Sequence, residues 1–278
     1  MQSGTLPRGF PKYWDWRVHD GGALNPVKSQ GKCNMCWAIV VAEAGAARLK
    51  AKNYTDLLQL SSQELLNCCE KEIERTKCYT YSYTKAFNYI KKEGIRKEEE
   101  NPFKAVKQPC QPKTQKQKSL AVRINGVIMI DHKNEDEFLM QVKEQPVAGC
   151  VIMTSEFTVL KGGIYEGTDV LDKLNQDNKF NLKHSILIIG FGYDEKEEKN
   201  YWIVKNSYGK EWGIHGYGRI ARSSSLPDSK QSLIFRIYCP MLPKTQQGAH
   251  ACWNYYYGSH PAAALFSVCC VCDDKHFC

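Results

Sequence analysis

Residues 37–52, Trp-Ala-Ile-Val-Val-Ala-Glu-Ala-Gly-Ala-Ala-Arg-Leu-Lys-Ala-Lys, restrict the fold more than any other stretch of this chain. The run is rich in helix formers and strongly apolar on one side. It therefore predicts a buried helix, around which the remaining chain must supply a core. Two further helices are expected nearby. Ser61-Ser62-Gln63-Glu64 reads as a capping box ahead of Leu65 and Leu66, and residues 83–92 read as a helix closed by Gly94. Residues 107–119 are polar and rich in Lys and Gln, the composition of a crossing segment between halves. Beyond them the pattern changes to strands, expected at residues 122–129, 146–153, 184–193, 201–205, 216–221 and 232–238, with one helix at 135–143. A helical half joined to a β-rich half is an α+β architecture.

The 278 residues suffice for one large domain or two small ones. The net charge of +8 is read as a solvated basic surface. The Lys-rich crossing segment lacks the interleaved aromatics of a nucleic-acid patch, so no nucleic-acid partner is expected. No run of 18 apolar residues exists, so no membrane span is expected, and Met1 to Phe10 has no apolar signal-peptide core. Thirteen cysteines point to an oxidising compartment, and the odd number leaves at least one sulfur unpaired within the chain. Asn53-Tyr54-Thr55 is a glycosylation sequon. Residues 241–278 hold Cys252, Cys269, Cys270, Cys272 and Cys278 with His250, His260 and His276. Cys-Cys-x-Cys is not a regular zinc spacing, so neither a metal nor another cofactor is expected, and the segment is read as a loose Cys-rich tail.

Chemistry concentrates at the head of the first helix. Gln30-Gly31-Lys32-Cys33-Asn34-Met35-Cys36-Trp37 runs straight into the apolar segment, which sets Cys36 at a helix N-terminus. Unpaired N–H groups and the partial positive charge there favour the thiolate, the reactive form of cysteine. His184 lies far downstream in an apolar segment, and Asn206 in Lys-Asn-Ser. This is the order expected of a nucleophile, its base and the residue that orients the base. Cys33 and Cys36 also form a C-x-x-C, the spacing of a redox pair, but the downstream His and Asn account for the same cysteine better.

With these residues in view, the chain resembles the papain-like cysteine proteases over about residues 10–240. The resemblance is carried by Asp15-Trp16-Arg17, by the Gln30 to Trp37 segment, and by Leu60-Ser61-Ser62-Gln63-Glu64-Leu65-Leu66-Asn67-Cys68. It continues through Gln145-Pro146-Val147, Lys161-Gly162-Gly163-Ile164-Tyr165, His184-Ser185-Ile186, Gly190-Phe191-Gly192-Tyr193, Tyr201 to Gly209, and Trp212-Gly213. It implies a papain-like two-domain fold, with a mainly helical domain (about 24–118), a β-barrel-like domain (about 10–23 plus 119–240) and the active-site cleft between them. It implies a cysteine-type endopeptidase in which Cys36 attacks, His184 moves protons and Asn206 holds the His184 ring. Gln30 would help form the oxyanion hole, and Trp212 would cover the His–Asn hydrogen bond from water. Family disulfides imply Cys33–Cys78 and Cys68–Cys110, with Cys69 an alternative to Cys68. Cys150 would line the second substrate subsite as a free thiol, and the floor of that pocket would lie near residues 226–236. The implied partners are peptide or protein substrates and a cystatin-type inhibitor, for a monomer in a lysosome or vacuole or outside the cell.

Five residues depart from the family pattern. Tyr81 in Lys77-Cys78-Tyr79-Thr80-Tyr81 stands where glycines usually let a substrate backbone approach. Lys183 sets an ammonium beside His184, which would disfavour the imidazolium. Tyr208 replaces a tryptophan, and Asn34-Met35 replaces small residues beside the nucleophile. Tyr81 and Lys183 leave open a second expectation, a weak or inactive relative that serves as a binding or storage protein.

Overall fold

The structure is a computed structural model, and it describes residues 8–19, 22–53, 55–70, 77–167, 183–222 and 232–242. The described residues all belong to one compact unit. The Cys-rich tail lies outside the described residues from residue 243 onward.

The order of elements follows the change in sequence pattern. A short strand β1 (Trp14–Asp15) precedes helices α1 (Cys36–Ala51), α2 (Ser62–Cys68), α3 (Tyr83–Glu93) and α4 (Gln115–Leu120). Then come β2 (Gly126–Ile130), α5 (Glu135–Glu144), β3 (Val147–Ile152), α6 (Ser155–Thr158), β4 (Ile164–Tyr165), β5 (Lys183–Asp194), β6 (Lys199–Lys205), β7 (Tyr217–Ala221) and β8 (Ile234–Met241). The strands form one eight-stranded sheet in the order β2-β8-β3-β5-β6-β7-β4, with β1 added to β5. All pairings are antiparallel except β4 with β7.

Helix α1 is buried more completely than a one-sided apolar stripe requires. Every residue from Cys36 to Ala47 is buried. The reason is its place in the fold: α2 and α3 pack on it from one side, and β3, β5 and β8 from the other. Its run of alanines and Gly45 lets those neighbours come close. Its one buried acid, Glu43, pairs with the buried Lys205 at 2.7 Å, and Lys205 also donates to the carbonyls of Asn25 and Pro26.

Some local expectations are altered by tertiary partners. Ser61 caps α2 by accepting from the Glu64 N–H at 3.0 Å. Glu64 does not return the bond, because the Ser61 N–H goes to the Arg96 carbonyl. Its carboxylate is instead held, fully buried, by Arg96, Lys113 and Tyr89. The polar crossing segment contains α4, opened by a reciprocal capping box between Thr114 and Gln117. Disulfides join Cys33 to Cys78 and Cys68 to Cys110, leaving Cys69 a free thiol.

Candidate active site

Cys36 is the first residue of α1. Met35 before it offers no side-chain cap, and the first turn carries no acid, so no side chain competes with a thiolate for the helix N–H groups. Burial alone would push the Cys36 thiol up. A hydrogen bond and charge from His184, with lesser help from Ser185, more than offset it and bring the thiol down to about 7.

His184 lies at the start of β5, and Asn206 follows the last residue of β6. Leu187 stands opposite Lys205 in the antiparallel pairing, so the next residue along β6 comes up beside the His184 end of β5. The Asn206 Oδ1 to His184 Nε2 distance is 2.7 Å, and both side chains are buried. The backbone N–H of Ser207 donates to the same Oδ1 at 2.7 Å. An atom that accepts from an N–H is an oxygen, so the imidazole must donate through Nε2. Nδ1 is thereby left to deal with Cys36.

Gln30 is buried and held at both ends of its amide. Its Oε1 accepts from Ser207 Oγ at 2.6 Å, and its Nε2 donates to the Cys33 carbonyl at 3.1 Å. One of the two Nε2 hydrogens is used in that bond.

Trp212 is placed otherwise than expected. The ring against His184 is Tyr208, at 4.5 Å between centroids, and Trp212 meets Tyr208 edge-on at 6.5 Å. Tyr208 comes two residues after Asn206 and folds back over the imidazole. Trp212 is buried against Phe157, whose carbonyl accepts its Nε1–H at 2.8 Å, so it supports the site from behind. The Tyr208 hydroxyl lies 2.8 Å from the Met153 sulfur and 3.4 Å from His184 Nδ1.

A cleft of about 500 Å³ opens beside Cys36. Tyr81, Cys150 and Lys183 line it, as do Lys85, Ser185 and Arg236. Tyr81 forms part of the wall: its ring packs on Trp37 at 5.1 Å, and its hydroxyl donates to the Cys69 carbonyl at 3.0 Å. Burial raises the Cys150 thiol to about 11, the opposite direction from Cys36. Arg236 was missed as an individual residue in the loosely matching stretch. An irregularity in the β3–β8 pairing places it there, and no period-two pattern announces such a break.

The comparisons follow the geometry. The family described as papain family cysteine protease matches residues 10–235. The chain belongs to this family. It is 37% identical over 219 residues to vignain of Phaseolus vulgaris, covering 77% of this chain and 55% of the relative. It is 32% identical over 244 residues to fruit bromelain of Ananas comosus, covering 87% of this chain and 62% of that protein. It thus spans only about 55–62% of the length of these curated relatives. Among solved structures, a cysteine protease of Carica candamarcensis in complex with E-64 superposes with a TM-score of 0.67 at 28% identity, over 84% of this chain and all of that one. The bromelain protease of Ananas comosus in complex with E64 gives 0.68, also at 28% identity, over 84% of this chain and 100% of that chain. The papain-like α+β fold is therefore that of this family. Among the described residues no cluster of metal-ligating side chains occurs, and no helix is long and apolar enough to cross a membrane.

Proposed function

We propose that this papain-family chain is a cysteine-type endopeptidase that hydrolyses peptide bonds through Cys36 and His184. The observation that carries the reading is a buried thiol held down to about 7 beside an imidazole whose far nitrogen is fixed by Asn206. Near neutral pH such a cysteine is substantially thiolate. The thiolate adds to the peptide carbonyl, and the oxyanion accepts hydrogen bonds from the remaining Gln30 Nε2–H and from the Cys36 backbone N–H. His184 Nδ1 gives its proton to the leaving amine. The resulting thioester is hydrolysed by water that passes a proton to the same nitrogen. Asn206 holds the ring through both steps. Tyr81 is compatible with this reading, because its ring lies back on Trp37 and leaves the cleft open.

The substrates are peptides or proteins, and a cystatin-type inhibitor would occupy the same cleft. A lysosomal, vacuolar or extracellular setting fits the two disulfides. Asn53, the sequon residue, is exposed just past α1 in the left-handed conformation that asparagine tolerates, and it is available for glycosylation.

The test is labelling with the epoxide E-64, followed by mapping of the modified residue by mass spectrometry. Stoichiometric labelling of Cys36 is expected, with Cys150 and Cys239 unmodified. The alkylation rate should rise as pH increases through about 7, where the Cys36 thiolate forms. His184→Ala should move that rise to higher pH and slow labelling by roughly 100-fold or more. A Cys36 that reacts no faster than Cys150 in folded protein would leave the non-hydrolytic binding role as the better reading.

A further inference from the structure

The cleft beside Cys36 carries a one-sided charge. Lys85 from α3, Lys183 from β5 and Arg236 from β8 all line it, and among the described residues the lining includes no aspartate or glutamate. None of these cations takes part in an ion pair among the described residues. Their contacts are with rings: Lys85 Nζ lies 5.7 Å from the Tyr81 centroid, and the Arg236 guanidinium 6.0 Å from that of Phe235. Among the described residues, therefore, no carboxylate compensates the positive heads at this cleft.

The fold brings Arg236 there by a specific device. Strand β3 pairs Ala148 with Tyr238 but Cys150 with Phe235, so two residues on β8 stand where β3 has one. The bulge contains Arg236, whose φ of +52° is in the left-handed region that an arginine seldom adopts. Its neighbours differ: Ile237 is buried in the core of the sheet, Phe235 is half-buried against both cores, and Arg236 is exposed against the cleft. Cys150 lies between the two strand cations, with Ser185 across from it on β5 and Phe235 on β8. Burial raises its thiol first and foremost, while a hydrogen bond from Tyr83 and the charges of Arg236 and Lys183 act to lower it.

We infer that this cleft selects peptides with an acidic side chain, aspartate or glutamate, at the one position that enters the pocket formed by Lys85, Cys150, Lys183 and Arg236. The inference rests on the proposed peptidase reading and names its substrate class. A carboxylate there gains the field of three cations from three elements, in a concave site that water screens less than an open surface. A lysine or arginine in the same place meets only repulsion, so the discrimination has a repulsive part as well as an attractive one.

The experiment uses the full chain and quenched fluorogenic peptides that differ only by Glu, Gln or Lys at each position around one cleavage site. Glu should exceed its isostere Gln in kcat/KM by roughly 5- to 10-fold at one position, with Lys poorest. Arg236→Gln should remove most of that ratio, and Arg236→Glu should turn it toward Lys. Lys85→Gln, on an exposed helix position, should lower it by a smaller factor. Raising salt to about 0.5 M should shrink the preference, as it does for exposed charges. Equal rates for Glu and Gln at every position, or a preference untouched by both Arg236 variants, would overturn the inference. The same peptides are measured for binding to Cys36→Ser by fluorescence anisotropy. A Glu preference in binding, with Cys36 of the parent protein inert to E-64, would keep the acidic selectivity and sink only the peptidase reading.

Discussion

Tyr208 stands on the imidazole face where tryptophan is usual in this family, and the exchange brings in a hydroxyl. That hydroxyl lies 3.4 Å from His184 Nδ1, the nitrogen that serves Cys36, and 2.8 Å from the Met153 sulfur. The ring does the covering, and toward the imidazole the hydroxyl contributes only a long contact. Tyr208→Phe should therefore change the E-64 labelling rate of Cys36 by no more than about 3-fold, whereas Tyr208→Ala, which opens the His184–Asn206 bond to water, should slow it by about 10-fold. Both are read from second-order labelling rates, with melting curves to verify folding. Cys36 and Cys150 make the same point about environment. Both thiols are buried at one cleft, yet one is brought down to about 7 by its histidine and the other is raised to about 11 by burial. The helix start and the downstream His and Asn made Cys36 recognisable in the sequence. The covering ring was assigned to Trp212, because a list of aromatics does not say which one folds back.

At the scale of elements, close approach decides what the pattern leaves open. A Cβ on Gly190 would lie 2.1 Å from the Trp14 carbonyl oxygen and 3.1 Å from the Asp15 Cα, and backbone atoms there have nowhere to go. Gly190 pairs with Asp15, and Trp16, one residue on, donates from its indole to the Val142 carbonyl at 2.7 Å. Gly190→Ala should thus lift β1 off β5 and lower stability by about 1–3 kcal/mol in denaturant melts. Gly162→Ala, with nothing within 4 Å of its added methyl, should stay within about 0.5 kcal/mol of the parent. Strand positions were readable because alternating or continuous apolar runs survive in β3, β5 and β6. The bulge in β8 was not readable, since one extra residue changes the facing of side chains without changing composition.

At the scale of the whole unit, the two disulfides among the described residues lie within the helical half, between residues 33 and 110, so neither ties it to the sheet. The ties are packing, buried hydrogen bonds such as Ser207 to Gln30 and Tyr83 to the Gly149 carbonyl, and the buried pair of Glu43 on α1 and Lys205 on β6. Lys205 sits directly before Asn206, so the same contact that joins the halves also anchors the strand end that orients His184. Lys205→Met should cost about 3–5 kcal/mol, because Glu43 is left charged and buried. Adding Glu43→Leu should recover most of that loss in the same melts, as expected when the penalty is the unpaired charge rather than the missing bond. Recovery of stability without recovery of labelling would separate the structural part of Lys205 from its hold on Asn206.

What the sequence determined by itself is local and ordered along the chain: a buried helix headed by Cys36, helices before strands, and a histidine and an asparagine in motifs of the right order. These depend on short-range rules of helix capping, apolar period and residue order, which need no knowledge of distant partners. Only the tertiary structure decided which side chains meet. It bonded Glu64 to Arg96 and Lys113 instead of its own helix start, set Tyr208 rather than Trp212 on His184, and used a bulge to turn Arg236 toward the cleft. Each outcome follows from contacts between residues far apart in the chain, where the geometry of packed strands and helices, and not the neighbouring sequence, supplies the partner.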